Sequence, residues 1–162
     1  MVLKNWYKWL GNIYGGVYPT LINYNGTEVK PASIGLQLSA NSFKYIANGD
    51  SPLTSSGNVI FGTGTKEPDI NDYALSGDII KNLTAGITQA VNFDATYHEI
   101  VTTYILTNGN GEAVTIGEVG VKNYASKNGY LFERTVLDTP VTIPAGGIGQ
   151  VTYTVRMNYP TA

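Results

Sequence analysis

An all-β fold, an antiparallel β-sandwich of jelly-roll or Ig-like type with a short N-terminal helix or arm, is what this 162-residue sequence predicts. Two observations lead there. Segments rich in β-branched residues and Tyr recur at intervals of roughly 8–15 residues, separated by Asn-Gly and Gly-rich turn signals. Gln150 to Tyr159 alternates Val151, Tyr153, Val155, Met157 and Tyr159 with Gln150, Thr152, Thr154, Arg156 and Asn158, the period of a half-buried strand. No long amphipathic helical pattern competes with these strands.

In chain order, Met1 to Leu10 is the best helical candidate. Leu3, Trp6, Tyr7 and Leu10 recur at three- and four-residue spacing, Trp9 adds a second indole, and Gly11 is placed to stop the helix. A helix of about ten residues is marginal alone and must dock on something. Two dockings fit: a cap on this domain's own core, or an aromatic anchor of Leu3, Trp6, Tyr7, Trp9 and Leu10 set into a neighbouring subunit. Val17–Tyr24, Ile34–Leu38 and Phe43–Ile46 read as weak strands or extended arms, punctuated by Asn25-Gly26, Asn48-Gly49-Asp50 and Ser55–Asn58.

Stronger patterning begins at Val59–Gly62. After it come a Gly- and Pro-bearing loop and Asp69 to Leu75, in which Asp72 is placed to cap one short helical turn. From Ile79 strand follows strand: Glu99–Thr107, a turn at Asn108–Gly111, Val114–Lys122, a turn at Asn128-Gly129, and Tyr130–Leu137. Pro140 to Gly147 reads as a short strand and turn leading into the last strand. Residues 1–16 are thus expected as a helix or anchor arm and 17–162 as one sandwich domain, best patterned over 59–162.

Composition narrows the function. Charged residues make up 14%, against about 25% in an average soluble domain. Thr, Asn, Ser, Gly and Tyr fill the difference, as suits a surface that packs on other proteins. Net charge is −2, and the ten Lys and Arg form no cluster, so nucleic acid is not an expected partner. No signal peptide and no apolar run of about 20 residues is visible, so neither secretion nor a membrane span is expected. With no Cys and one His, thiolate chemistry and multi-histidine metal sites are excluded.

The remaining catalytic signals read better as structure. His98 has no Gly-x-Ser-x-Gly elbow to serve. Gly62-Thr63-Gly64-Thr65-Lys66 lacks the spacing of a phosphate loop, and Glu67 stands where the dinucleotide fingerprint needs its third glycine. Asp69 with Asp72, or Asp94 with Glu99, are carboxylate pairs only in sequence; Asp69 to Asp72 also lacks EF-hand spacing. The Asn25 and Asn82 sequons read as accidental. One charged pair carries weight. Alternation puts Glu118 on the face of Ile116, and Arg134 on the face of Phe132 and Val136. If the two strands pair, Glu118 and Arg134 form a partly buried ion pair that sets register. No catalytic residue, cofactor or metal is expected.

From Val59 onward the sequence resembles a group of small virion proteins common in bacteriophages of gut Firmicutes. The residues that carry the resemblance are, first, Phe61-Gly62-Thr63-Gly64-Thr65 and Asp72-Tyr73-Ala74-Leu75. Thr115–Gly120, Leu131–Leu137 and Asp138–Gly147 follow in the same order, and Asn5-Trp6-Tyr7-Lys8 also looks like the start of such proteins. The resemblance implies a non-enzymatic β-sandwich module of the particle, decorating the head or associated with a tail or fibre. It would be assembled in the bacterial host cytoplasm and would contact other capsid or tail proteins and copies of itself. A glycan-binding adhesion module for host surface sugars is the alternative that exposed Tyr and Trp would suit.

Overall fold

The computed structural model describes residues 1, 4–5, 20–29, 58–123 and 129–158, and the architecture is that of these residues. It is an all-β sandwich of antiparallel sheets. β1 (Leu21–Ile22) and β2 (Glu28–Val29) form a small hairpin, closed where Gly26 takes the left-handed φ of 79° that the Asn25-Gly26 signal supplies. β3 (Asn58–Gly62), β6 (Val114–Asn123) and β7 (Tyr130–Ile143) make one sheet in the order β3-β6-β7. β4 (Leu83–Phe93), β5 (Tyr97–Asn108) and β8 (Ile148–Asn158) make the other in the order β4-β5-β8. The expected helix or arm over 1–16 lies outside the described residues apart from Met1, Lys4 and Asn5, of which Lys4 and Asn5 have helical backbone. The strands expected at 34–38 and 43–46 lie outside them too.

The core between the sheets follows from alternation. Val59 and Phe61 from β3 and Val119 and Val121 from β6 meet Tyr104 and Leu106 from β5. Phe61 and Tyr104 cross edge-to-face with ring centroids 5.5 Å apart, a contact worth about 0.5–1.5 kcal/mol beyond the area buried. The β3-β6-β7 sheet is covered on its other face as well. There Ile60, Leu75 and Leu131 form a second cluster, against which Tyr24 and Ile79 pack. Burial on both faces explains why β6 reads as nearly continuous Ile, Val and Gly instead of alternating with polar residues.

Three local readings are corrected. The turn at 69–72 is opened by Asp69, not capped by Asp72: the Asp72 N–H donates to the Asp69 carbonyl at 2.9 Å, and the Asn71 N–H to Asp69 Oδ1 at 2.8 Å. Tyr130–Leu137 and the short strand after Pro140 are one strand, β7. Its register jumps from Val141 opposite Ile116 to Val136 opposite Glu118, leaving Leu137, Asp138, Thr139 and Pro140 facing Gly117 alone. Pro140 is tolerated because it sits in this irregularity of a strand at the sheet's edge, where no ladder N–H is required. The same irregularity breaks the alternation of β6. Ile116, Val119 and Val121 all join the inter-sheet core, so Glu118 points to the opposite face from Ile116, not to the same one.

Candidate functional site

On that opposite face Glu118 and Arg134 meet. Both side chains are fully buried, and Arg134 Nε donates to Glu118 Oε2 at 2.6 Å. The rest of the carboxylate is enclosed by the loop after β3. Gly77 N donates to Oε1 at 2.7 Å, Gly64 N to Oε1 at 3.1 Å and Ser76 N to Oε2 at 3.1 Å, while the Ser76 hydroxyl lies 3.3 Å from both oxygens. Gly64 and Gly77 are required by this approach. A Cβ on Gly64 would collide with Glu118 Oε1 and Ser76 Oγ and lie 2.6 Å from Gly77 N. One on Gly77 would lie 2.6 Å from Thr63 Oγ1 and press on Gly64 N. The sequence Gly62-Thr63-Gly64-Thr65-Lys66 thus cradles an anion, but the anion is the protein's own carboxylate.

Arg134 uses its other nitrogens on the same loop. Nη1 donates to Asp72 Oδ2 at 2.5 Å and to the Glu67 carbonyl at 3.4 Å, and Nη2 donates to the Lys66 carbonyl. Burial by itself would lower the guanidinium pKa; hydrogen bonds and charge from Glu118 and Asp72 outweigh it and hold the pKa above its ordinary value. Asp72 therefore serves as the second anion of a buried triad that pins the 63–78 loop to the sheet. Its pairing with Asp69 is a turn hydrogen bond, from Asp69 N to Asp72 Oδ2 at 2.9 Å.

A second polar node, which sequence reading took only for a turn, closes one end of the sandwich. Asn108 is fully buried. Its Nδ2 donates to the carbonyls of Glu112 at 2.8 Å and of Ile143 and Pro144 at 3.1 Å, and its Oδ1 accepts from Asn110 N at 2.9 Å. One amide joins the β5–β6 turn to the β7–β8 turn. Burial of Asn at such a junction leaves no signature in a single sequence beyond the Asn108–Gly111 run.

At the other end the β4-β5-β8 sheet outruns its cover. The core-facing row of β8 passes from Val151 at 5% and Tyr153 at 7% exposure to Met157 at 56%. On β4 it passes from Leu83 at 1% to Val91 at 44% and Phe93 at 73%. Phe93 stacks on the imidazole of His98, centroids 4.5 Å apart and planes 4° off parallel. On the opposite face, Glu99 Oε2 accepts from Arg156 Nε at 2.9 Å and Nη2 at 2.7 Å, and Glu99 Oε1 accepts from Asn92 at 3.0 Å. The Arg156 guanidinium lies 4.2 Å from the Tyr97 ring centroid. The hydrogen bond from Asn92, and then those from Arg156, hold the Glu99 carboxyl below its usual range.

Asp94, the sequence neighbour suggested as a partner for Glu99, instead accepts from Thr96 N at 2.7 Å in its own turn. Among the described residues no group of three or more His, Asp or Glu is placed to hold a metal ion, and no helix is long and apolar enough to cross a membrane. The expected anchor residues Leu3, Trp6, Tyr7, Trp9 and Leu10 lie outside the described residues. The class of protein defined by these features is an antiparallel β-sandwich with a buried ionic latch and a bare apolar end. No family model, curated protein or solved structure matches the chain.

Proposed function

We propose that this protein is a structural component of a bacteriophage particle, an accessory or decoration module of the head or a tail- or fibre-associated one, which works by contact and not by catalysis. The observation that carries the reading is the pairing of a tightly latched sandwich with the uncovered apolar end at Val91, Phe93 and Met157. A rigid slab with a few exposed apolar and aromatic side chains suits attachment through many weak contacts, because such groups bury area with few rotatable bonds. The ordered likeness to small virion proteins between Val59 and Gly147 supports the same reading. Partners on this reading are capsid or tail proteins and further copies of the chain, met in the host cytoplasm during assembly.

The test is mass spectrometry of purified particles, followed by location of the chain in their reconstructed density. Its recovery in stoichiometric amount is expected; its absence from washed particles would defeat the proposal. A second reading rests on the Phe93 ring, 73% exposed at the apolar end. Sugars stack their apolar faces on such rings. Saturable binding of a host polysaccharide, abolished by Phe93→Ala, would favour that reading.

A further inference from the structure

An asparagine followed by glycine is open to attack on its side-chain amide by the next peptide nitrogen, because glycine has no Cβ to crowd the ring closure. Three such bonds fall within the described residues, Asn25-Gly26, Asn108-Gly109 and Asn110-Gly111, and the fold treats them differently. Gly26 N donates to the Asn23 carbonyl at 2.9 Å, inside the turn held at a φ of 79°. Gly109 N donates to the Asn82 carbonyl at 2.8 Å, and the Asn108 amide before it is fully buried and spent on the Glu112, Ile143 and Pro144 carbonyls. The attacking form of a peptide nitrogen is the deprotonated one, and an N–H that donates to a carbonyl is harder to deprotonate. Gly111 N makes no such bond among the described residues. Gly111 is exposed, and a Cβ built on it would meet no atom within 4 Å.

The amide of Asn110 is also activated and in use. Asn82 Nδ2 donates to its Oδ1 at 3.2 Å, the oxygen that gains negative charge when a nucleophile adds to Cγ. Its own Nδ2 donates to the Lys81 carbonyl at 2.9 Å and to Asn108 Oδ1 at 2.8 Å. These bonds tie the residues entering β4 to the β5–β6 turn. Asn82 is held there at a left-handed φ of 55°, which a residue with a side chain keeps only where its surroundings impose it.

We infer that Asn110 is a self-modification site that unties this end of the sandwich. The Gly111 nitrogen, after losing its proton to hydroxide, bonds to Asn110 Cγ; the bond from Cγ to Nδ2 breaks, and ammonia leaves from a succinimide ring. Water opens that ring at either carbonyl and leaves aspartate or isoaspartate at 110, the latter with an extra carbon in the main chain. The net reaction is hydrolysis of one amide, and it consumes only water. Either product has lost the Nδ2 donors and sets negative oxygens against the Lys81 carbonyl and Asn108 Oδ1. The tie is cut irreversibly, whether or not the protein belongs to a particle.

Peptide mapping of the full chain, aged both folded and in urea at neutral and mildly alkaline pH, tests the site. In the folded protein Asn110 is expected to convert first of the three, faster as pH rises, with an isoaspartyl product that isoaspartyl methyltransferase labels. In urea the three rates are expected to converge. Equal or faster conversion of Asn25 or Asn108 in the folded chain overturns the inference, as does an Asn110 that converts in urea and never when folded. Gly111→Ala places its Cβ in open space at a φ outside the left-handed region, so it is expected to keep the wild-type melting temperature and to suppress the conversion. Undiminished conversion in that variant would exclude the Gly111 nitrogen as the attacking group. Asn110→Asp carries the product carboxylate from the start. It is expected to melt below the wild type, and both it and the aged wild type should exchange the Gly109 amide hydrogen faster, since that amide donates to Asn82 beside the broken tie. Unchanged exchange at Gly109 in both overturns the untying.

Discussion

The two sheets of this sandwich solve opposite problems. The β3-β6-β7 sheet is buried on both faces, has cover along its edges and holds a fully buried arginine between two carboxylates. The β4-β5-β8 sheet leaves Val91, Phe93 and Met157 exposed at one end, and its charged pair sets an Arg156 that is 51% exposed over a nearly buried Glu99. The difference teaches where rigidity and availability reside. A buried charge is tolerated only when every lone pair and proton has a partner, so the first sheet fixes the 63–78 loop in one arrangement. A pair whose cation is half exposed imposes a weaker condition, and the second sheet presents its apolar end at Val91, Phe93 and Met157 to solvent.

The sharpest way to break this contrast is to remove matching charges from the two sheets. Arg134→Met leaves Glu118 buried without its cation and is expected to cost about 3–5 kcal/mol. Glu118→Gln is expected to be similarly damaging, because its amide NH2 must face either Arg134 or the donors Gly64 N and Gly77 N. Arg156→Met should shift the urea midpoint less, since the guanidinium is half exposed and Glu99 keeps its hydrogen bond from Asn92. Equal effects from Arg134→Met and Arg156→Met would show that the first sheet's ion pair is no more constrained than a surface one. Additivity in the Glu118→Gln/Arg134→Met double variant would separately refute their coupling.

That pair was partly legible from sequence, and the way it was misread is instructive. Strand identity, pairing of β6 with β7, and the joining of Glu118 to Arg134 follow from alternation and from the turn at Asn128-Gly129. The face does not, because alternation assumes an unbroken ladder and Leu137–Pro140 interrupt it opposite Gly117. Asp72 was visible only as a turn residue: its role depends on a loop folding back across more than sixty residues of chain to Arg134, which no local pattern encodes. β4 has a readable alternation of Leu83, Ala85, Ile87, Gln89, Val91 and Phe93, but Gly86 and Ala90 dilute its β-propensity, so alternation alone does not bound it.

The closed and open ends supply a smaller test. Asn108→Ala orphans the buried Ile143 carbonyl, cuts the ties to the Glu112 and Pro144 carbonyls, and is expected to cost about 1–3 kcal/mol, read from chemical denaturation. At the open end, acidification separates Glu99 from the latch. Its folded carboxyl titrates below the unfolded value of 4.5, so its contribution is present above that value and is lost as pH falls through the lower, folded one. Glu99→Gln should therefore lower the melting temperature at neutral pH and match the wild type once pH is well below 4.5. A difference that persists undiminished in acid would mean the carboxylate's charge is not what Asn92 and Arg156 hold.

The smallest expected effect comes from one of two phenylalanines that sequence alone cannot rank. Phe61, 2% exposed, fills the core, and Phe61→Ala is expected to cost about 3–5 kcal/mol. Phe93, 73% exposed, gains little from folding, and Phe93→Ser should change stability by no more than about 0.5 kcal/mol. A large loss from Phe93→Ser would mean that its ring supports the fold, and that the apolar end is core after all and not a surface awaiting a partner.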